Sequence, residues 1–370
     1  MELCAKHLSI VLILCLFSQA SFAKEPSQVC LKLSSIPVVT FIVPDYENSP
    51  FWSTLGNLAI KASEDLNIDL RFHLIPNENR SRFNYADKIE KILIKNKGTD
   101  YLVAPFLTGS EKRIMALTEK YGVNFLSYNS PLNTAVKEAI GLPRAIHLHW
   151  LGHISPDDEQ VGYDAAQLLA EQRQNKPTRL IAINGGRHSA VAKMRFKGLR
   201  RKLAEDNQLT LLQGVNTDWS FAQGEDKASQ LFQRYQDIHG IWSASDSLAI
   251  ASLQQWHNLF PDTPPPTIVG IDWTKEIATH IKNNQVLASF GGHVFEGVWL
   301  LALIKDHYLG LDFFDENKGI VNYRLRAADK SNVGLLSNIG QINKDLSLLS
   351  KCLSGKNSNY EFDAMALMSQ

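Results

Sequence analysis

Cysteine is scarce in this chain: there are four in 370 residues, and Cys4 and Cys15 both lie in the apolar start. Cys30 and Cys352 remain. Neither sits beside a plausible catalytic histidine in sequence, which excludes thiol catalysis and leaves them a structural role. An excess of either charge is also missing, since 38 Lys and Arg balance 38 Asp and Glu. Without a net field the chain has no electrostatic footprint for nucleic acid or an anionic membrane. No Gly-x-Ser-x-Gly elbow is present. Asn184-Gly185-Gly186 lacks both the Gly-x-Gly-x-x-Gly spacing and a paired lysine, so it reads as a turn and not as a phosphate loop. Beyond the first 23 residues no run is long and apolar enough to span a bilayer, and no repeat of solenoid length occurs.

What is present begins with a leader over residues 1–23. Lys6, an apolar stretch over 8–17 and a Ser21-Phe22-Ala23 ending have the form of a secretory signal. The stretch is shorter than the roughly 20 residues a spanning helix needs. Leu12-Ile13-Leu14-Cys15 lacks the small residues expected before a lipidated cysteine. The expectation is a soluble exported protein, cleaved after Ala23. In an oxidising compartment Cys30 and Cys352 are expected to pair, the alternative being two free thiols. Such a bridge closes a very long loop, for which chain-entropy models give somewhat above about 4 kcal/mol.

Apolar β-rich runs then alternate with helical patterns. A first series has runs at 38–43, 69–74, 101–104 and 125–128; a second starts at 145–151 and continues through 179–183, 210–215, 240–242 and 267–270. Alternation of this kind predicts parallel sheets covered by helices on both faces, and the mature length fits two lobes. Residues 131–142 lack a clear period and lead into Gly141-Leu142-Pro143, which reads as a crossing between lobes. The tail after Cys352, rich in Ser, Asn and Gly, reads as poorly ordered.

The first run breaks at Pro44-Asp45, and Ser49-Pro50-Phe51-Trp52 then opens a helix, with Ser49 as N-cap and Pro50 in the first turn. Two aromatic rings therefore stand at the carboxyl end of a buried strand, where open α/β sheets bind ligands. Read alone, the pair is as compatible with core packing as with a binding surface. An aromatic face beside free backbone N–H groups suits a sugar-like ligand.

Further fragments follow: Tyr128-Asn129-Ser130, Ser155-Pro156-Asp157-Asp158 before Gly162, Arg195-Phe196-Lys197-Gly198, Ser245-Asp246-Ser247-Leu248-Ala249 and Val269-Gly270-Ile271-Asp272. In this order, over about 36–325, the chain resembles the type I periplasmic sugar-binding proteins. These are the ribose- and galactose-binding family, which includes the autoinducer-2-binding periplasmic protein. The resemblance implies an α/β fold of two doubly wound parallel-sheet lobes joined by three crossing strands. It assigns 33–143 and 291–318 to an N-terminal lobe and 144–290 and 319–329 to a C-terminal lobe, with a short late strand near Asn322. Residues 330–370 are left as an extension that returns to the first lobe, so that Cys352 can meet Cys30.

The resemblance also implies ligand contacts at Ser49, Phe51, Trp52, Asn129, Arg195, Trp219, Ser245 and Asp272. Arg195, Asn129 and Asp272 would supply forked donors and acceptors. Trp52 and Trp219 would sandwich an apolar ring face from opposite lobes. Without the motif, Arg195 reads as a solvated helix face among Lys193, Lys197, Arg200, Arg201 and Lys202. Asp272 would otherwise read as a helix N-cap, and Asp246 as a residue that caps or orients its loop.

The chain departs from the family at Ser289-Phe290-Gly291-Gly292-His293, where Gly291 stands in place of a glutamine or arginine that reaches the ligand. Asn129-Ser130 replaces the Asp-Arg pair of ribose binders, and Ser49, Trp52 and Asn129 look more like the autoinducer-2 receptor. His293, two residues beyond Gly291 on the same strand face, is the candidate for the vacant position. His147, His149 and His153 alternate along one strand face, but no cysteine or well-spaced carboxylate completes a shell, so no metal is expected. No cofactor is expected either.

The implied function is non-catalytic. A periplasmic monomer would close on a small sugar-like ligand and present it to an inner-membrane ABC permease or to a sensor kinase. A carbohydrate hydrolase would need two carboxylates flanking a bond, and the cleft offers only Asp272. A repressor of related fold would need a helix-turn-helix where this chain has a leader.

Overall fold

The computed structural model describes residues 30–45, 49–76, 81–172, 176–340 and 342–368; the leader and its cleavage point lie outside them. Strands β1 (Val38–Asp45), β2 (Asp69–Pro76), β3 (Tyr101–Pro105), β4 (Asn124–Tyr128) and β5 (Trp150–Pro156) alternate with α1 (Pro50–Asp65), α2 (Tyr85–Lys95), α3 (Glu111–Tyr121) and α4 (Thr134–Ile140). The alternation continues through α5 (Asp158–Glu171), β6 (Thr178–Gly186), α6 (Ala190–Glu205), β7 (Leu209–Thr217), α7 (Phe221–Arg234) and β8 (Gly240–Ser243). Next come α8 (Asp246–Leu259), β9 (Thr267–Asp272), α9 (Lys275–Lys282), β10 (Ala288–Gly291) and α10 (Glu296–Tyr308). Then α11 (Phe314–Asn317), β11 (Ile320–Tyr323) and β12 (Arg326–Asp329) precede an extension that holds α12 (Lys351–Ser354) and α13 (Ala364–Met368).

The strands form two six-stranded sheets, ordered β11-β5-β4-β3-β1-β2 and β12-β10-β9-β8-β6-β7. Every pairing is parallel except β10 with β12. Central strands such as β3 and β8 are buried along their whole length, which is why they read as continuous apolar runs and not as alternating ones. The two doubly wound α/β sheets are the fold class expected from the alternation.

Two strands lie across the division read from sequence. Tyr128 of β4 stands opposite Ile154 of β5, and Ser155 of β5 stands opposite Asn322 of β11. Both β5 and the late strand near Asn322 therefore belong to the first sheet and not to the second lobe. The strand expected at 145–151 is β5, displaced toward the C terminus. The segment expected to cross between lobes folds instead as α4, capped by the Asn133 side chain accepting from Val136 N and ended at Gly141. Two turns are too few for a 3.6-residue period to be visible. The chain leaves one sheet for the other after Pro156, Gly291 and Tyr323. The first and last crossings are tied by the Asp157 N–H donating to the Tyr323 carbonyl at 2.8 Å.

The tail after Cys352, expected to be poorly ordered, is packed. The extension that leads to it begins with the two-turn 3₁₀ helix Val333–Asn338, which lies on α9, where Lys282 Nζ donates to Ser337 Oγ at 2.7 Å. The turn Leu346–Leu349 lies on α1 and α10, where the Leu346 N–H donates to Asp65 Oδ2 at 2.9 Å. The carboxylate of the fully buried Asp306 on α10 then accepts from Ser350 Oγ, from the backbone N–H groups of Lys351 (2.7 Å) and Cys352 (3.0 Å), and from the Tyr360 hydroxyl (2.7 Å). Beyond it Phe362 meets Trp299 edge-on at 5.8 Å, and Asp363 faces Arg326 of β12 at 3.5 Å. Composition pointed to disorder because the ordering contacts come from other elements, above all from one buried carboxylate.

Cys30 and Cys352 form a disulfide across 322 residues of sequence. Replacing both by serine is expected to lower stability in urea titration by more than about 4 kcal/mol, since the chain-entropy value is about 4.7 kcal/mol for a loop of roughly 100 residues and rises with length. A loss below about 1 kcal/mol would show that contacts to Asp306 hold the extension without the bridge.

Candidate functional site

The centre of the site is assembled by two helices that touch backbone to backbone. A Cβ on Gly162 of α5 would fall 1.8 Å from the Arg195 carbonyl oxygen, and one on Gly198 of α6 would fall 1.9 Å from that of Glu159. Only glycine permits this approach. It brings Arg195 of α6 against Asp158 of α5 at the carboxyl end of the second sheet. Arg195 is 3% exposed, so it does not lie on the solvated face of its helix. Its Nε–H donates to Asp158 Oδ1 at 2.9 Å and Nη1 donates to the Ala244 carbonyl at 2.7 Å. Nη1 also stands 3.6 Å from Asp272 Oδ1, and Nη2 stands 3.4 Å from His293 Nε2. The His293 Nε2 is 3.2 Å from the same Asp272 oxygen.

Burial sets the protonation of these groups. It pushes the Asp158 carboxyl up to about 6 against the pull of Arg195, and Asp272 up to about 7 against the same cation. His293 is held well below its ordinary value, first by burial and then by Arg195, and is neutral. With a neutral ring, Nε2–H donating to Asp272 leaves Nδ1 as an acceptor. That Nδ1 and Asp158 Oδ2 are both buried without a hydrogen-bond partner.

Several residues at the carboxyl ends of strands carry left-handed backbone: Asn129 at φ 62°, Trp219 at 76°, Asp272 at 142° and Trp273 at 62°. Such conformations cost about 1–3 kcal/mol each and persist where the surroundings impose them. Here Asp246, fully buried, imposes the turn after β9. It accepts from the Thr274 N–H (2.8 Å), from Thr274 Oγ1 (3.1 Å) and from Ser289 Oγ (2.6 Å), and Ser289 Oγ in turn accepts from the Trp273 N–H at 3.2 Å. Asp246 thus orients the turn after β9 and not its own loop, and the cap of α9 is Thr274, not Asp272.

From the first sheet's side, Phe51 of α1 lies on the His293 ring with centroids 4.4 Å apart, and Trp52 meets Phe51 edge-on at 4.8 Å. Ser49 precedes α1 with its hydroxyl making no cap bond. Asn129 Nδ2 donates to Glu296 Oε2 at 3.2 Å, and the Tyr323 hydroxyl donates to Glu296 Oε1 at 2.8 Å. Glu296 is fully buried at the start of α10, and burial holds its carboxyl well above the usual range. Trp219 lies over the end of β6, where a Cβ on Gly185 would fall 2.1 Å from its indole. Ser245 caps α8, its Oγ accepting from the Leu248 N–H at 3.3 Å.

The structure thus joins Phe51, Arg195, Asp272 and His293 in one chain of contacts, with Trp52 beside Phe51. Asn129, Trp219 and Ser245 are held by other partners. His293 is not on the β10 strand face expected for it. β10 ends at Gly291, the chain turns at Gly292 with φ 123°, and His293 opens a short 3₁₀ turn. The side chain missing at Gly291 has no room to exist, because a Cβ there would fall 2.2 Å from the Trp273 ring. Trp273 is fully buried, its Nε1–H bonded to the Ser289 carbonyl at 3.0 Å. Three residues of the site escape the motif reading. Asp158 looks like part of a capping sequence, and Asp157 alone does the capping. Glu296 and Trp273 lie in segments without a signature. A carboxylate inside an apolar run, as Glu296 is between Phe295 and Val298, is the one signal that could have found it. His153, set aside as a metal ligand, is buried in β5, its Nδ1 2.8 Å from Ser127 Oγ.

Because Arg195 is the only cation in contact with Asp158 and Asp272 among the described residues, Arg195→Ala is expected to lower stability by about 3–5 kcal/mol, the cost of leaving buried charges unpaired. Unchanged urea unfolding would refute that role. Asp272 titrates near 3.8 when unfolded and near 7 in the fold. Its protonation therefore contributes stability that is complete below the unfolded value and lost as pH rises through about 7. The stability of the wild type relative to Asp272→Asn is expected to fall from pH 5 to pH 8, and a rise over that range would contradict the assignment.

Residues 39–302 match the family described as the periplasmic binding protein domain. The D-allose-binding periplasmic protein of Escherichia coli (strain K12) is 21% identical over 286 residues, 77% of this chain and 84% of that protein. A crystal structure of a periplasmic sugar-binding protein from Pseudomonas fluorescens superposes with a TM-score of 0.79 at 24% identity, over 90% of this chain and 100% of the other. An ABC transporter periplasmic solute binding protein from Actinobacillus succinogenes 130z, with bound D-allose, gives 0.67 at 15% identity over 80% and 99%. With that family matched over the larger part of its length and two doubly wound sheets meeting at a buried polar crevice, this chain belongs to the periplasmic binding protein domain family.

Proposed function

We propose that this protein captures a sugar or sugar-like ligand between its two sheets and presents it to an inner-membrane ABC permease. The observation that carries the reading is the unbroken contact chain Phe51–His293–Asp272–Arg195–Asp158, which runs from a helix of one half to two helices of the other. A ligand lodged along that chain touches both halves and favours the closed arrangement by its differential affinity for it. Hydroxyl groups suit the chemistry. Each could donate to an acceptor that now has none, such as His293 Nδ1 or Asp158 Oδ2, and an unsatisfied buried acceptor costs roughly 1–3 kcal/mol. Support comes also from the D-allose in one related structure and from the D-allose-binding relative.

Trp52 and Trp219 serve as the two apolar walls in this reading, and Ser49, Asn129 and Ser245 as rim contacts. The leader is removed after Ala23 and the mature protein acts as a monomer. A second reading, a co-receptor for a membrane sensor kinase, rests on Ser49, Trp52 and Asn129, which resemble the autoinducer-2 receptor. It is weakened by Asn129, whose amide nitrogen is engaged by Glu296. Pull-down of the liganded protein with either membrane partner separates the two.

The direct test is calorimetry against pentoses, hexoses, inositols and furanosyl signals. Trp52→Ala and Trp219→Ala should each weaken the best ligand at least tenfold, about 1.4 kcal/mol, with unfolding curves close to wild type because both rings are only partly buried. Unchanged affinity in both variants would remove the indoles from the binding site.

A further inference from the structure

A second cleft, of about 610 Å3, opens on the outer face of α6, away from the side on which Arg195 is buried. Five cations line it, Arg187, Lys193, Lys197, Arg200 and Arg201, against one carboxylate, Glu159. Glu159 is shared by Lys197 at 2.6 Å and Arg201 at 3.0 Å. Arg187, Lys193 and Arg200 have no ion pair among the described residues. Lys193, Lys197 and Arg201 recur at four-residue spacing, and like charges so spaced destabilise a helix by roughly 0.2–0.5 kcal/mol per pair. Lys197 and Arg201 tie α6 to α5, and Arg201 also lies over the Tyr163 ring at 4.4 Å; the surplus of positive field in this chain of no net charge is that of Arg187, Lys193 and Arg200.

The floor of the cleft is not a bare charged surface. Asn184, 5% exposed, lines it together with Asn216. Asn184 Nδ2 donates to Asn216 Oδ1 at 3.2 Å, while Asn184 Oδ1 has no partner. Phe196, half-buried and edge-on to Trp242 at 6.2 Å, adds an apolar wall. Cations for an anionic group, an acceptor that lacks a donor and an aromatic surface for a ring together describe one ligand class. We propose that this cleft binds a small hydroxylated anion of the sugar-phosphate or sugar-acid type, independently of the crevice between the sheets. Arg187, Lys193 and Arg200 hold the anionic group, a small rotation of the Asn184 amide lets Oδ1 accept from a hydroxyl, and the ring lies on Phe196.

Calorimetry on the mature protein at low and at physiological salt, with D-glucose 6-phosphate, inorganic phosphate and D-glucose as probes, tests this. The sugar phosphate is expected to bind at least tenfold more tightly than phosphate, with an affinity that weakens with salt. Lys193→Ala/Arg200→Ala should weaken it tenfold or more, as should Asn184→Asp, which keeps the shape and adds a repelling charge. Trp52→Ala, on the other half of the molecule, should leave it unchanged, which distinguishes this site from the crevice. Should the double variant unfold, Lys193→Gln alone is expected to give a loss of threefold or more. Equal affinity for phosphate and sugar phosphate, loss of binding in Trp52→Ala, or binding only to vesicles containing phosphatidylglycerol would each overturn the proposal.

Discussion

The structure around the crevice depends on one buried guanidinium. Arg195 sits where charge is costly, and it is tolerated because Asp158, Asp272 and the Ala244 carbonyl surround it. The carboxylates are raised by burial and pulled back by the cation, so neither side of the pair is stable in that position without the other. The contact of α5 with α6 exists at a distance that only glycine at 162 and 198 permits. Remove the backbone approach and the cation no longer reaches its partners; remove the cation and the approach encloses unpaired acid.

A second buried carboxylate organises the joint between the halves. Glu296 accepts from Asn129 and Tyr323, residues at the ends of β4 and β11, and itself opens α10 directly after one of the crossings. A third, Asp306, gathers the extension onto the other end of the same helix. The extension runs from α9, beside the second sheet, to α1 and α10, beside the first, and is closed there by the disulfide. The two sheets are thus joined by three short crossings and by a longer external strap. The strap lies beyond residue 302, where the match to the family ends.

Much of this was legible in the residues. The alternation of apolar runs with helical periods gave two parallel sheets, because strands buried on both faces must be apolar throughout. The fragment order located Arg195 and Asp272, and the three-residue spacing from Arg195 to Gly198 encodes a helix contact whose partner, Gly162, was also visible. Asp158 was hidden by its neighbour: in Asp157-Asp158 one carboxylate caps the helix and the other turns inward, and composition cannot say which. His293 was placed on a strand that ends two residues earlier. β11 was assigned to the wrong half because edge pairing with a distant segment leaves no local signal, and β5 because the crossing was expected before it, over the segment that folds as α4.

By itself, then, the sequence determined the sheet-and-helix order, the scarcity of free thiols that makes Cys30 and Cys352 the only candidates for pairing in the mature chain, and the residue types at the crevice. These follow from period, spacing and chemistry along the chain. Tertiary structure alone decided that Arg195 is buried and not solvated, that Trp273 fills the space beside Gly291, and that a tail rich in Ser, Asn and Gly is held in place by Asp306. Burial and pairing are properties of what surrounds a residue, and those surroundings are brought in from positions far away in the chain.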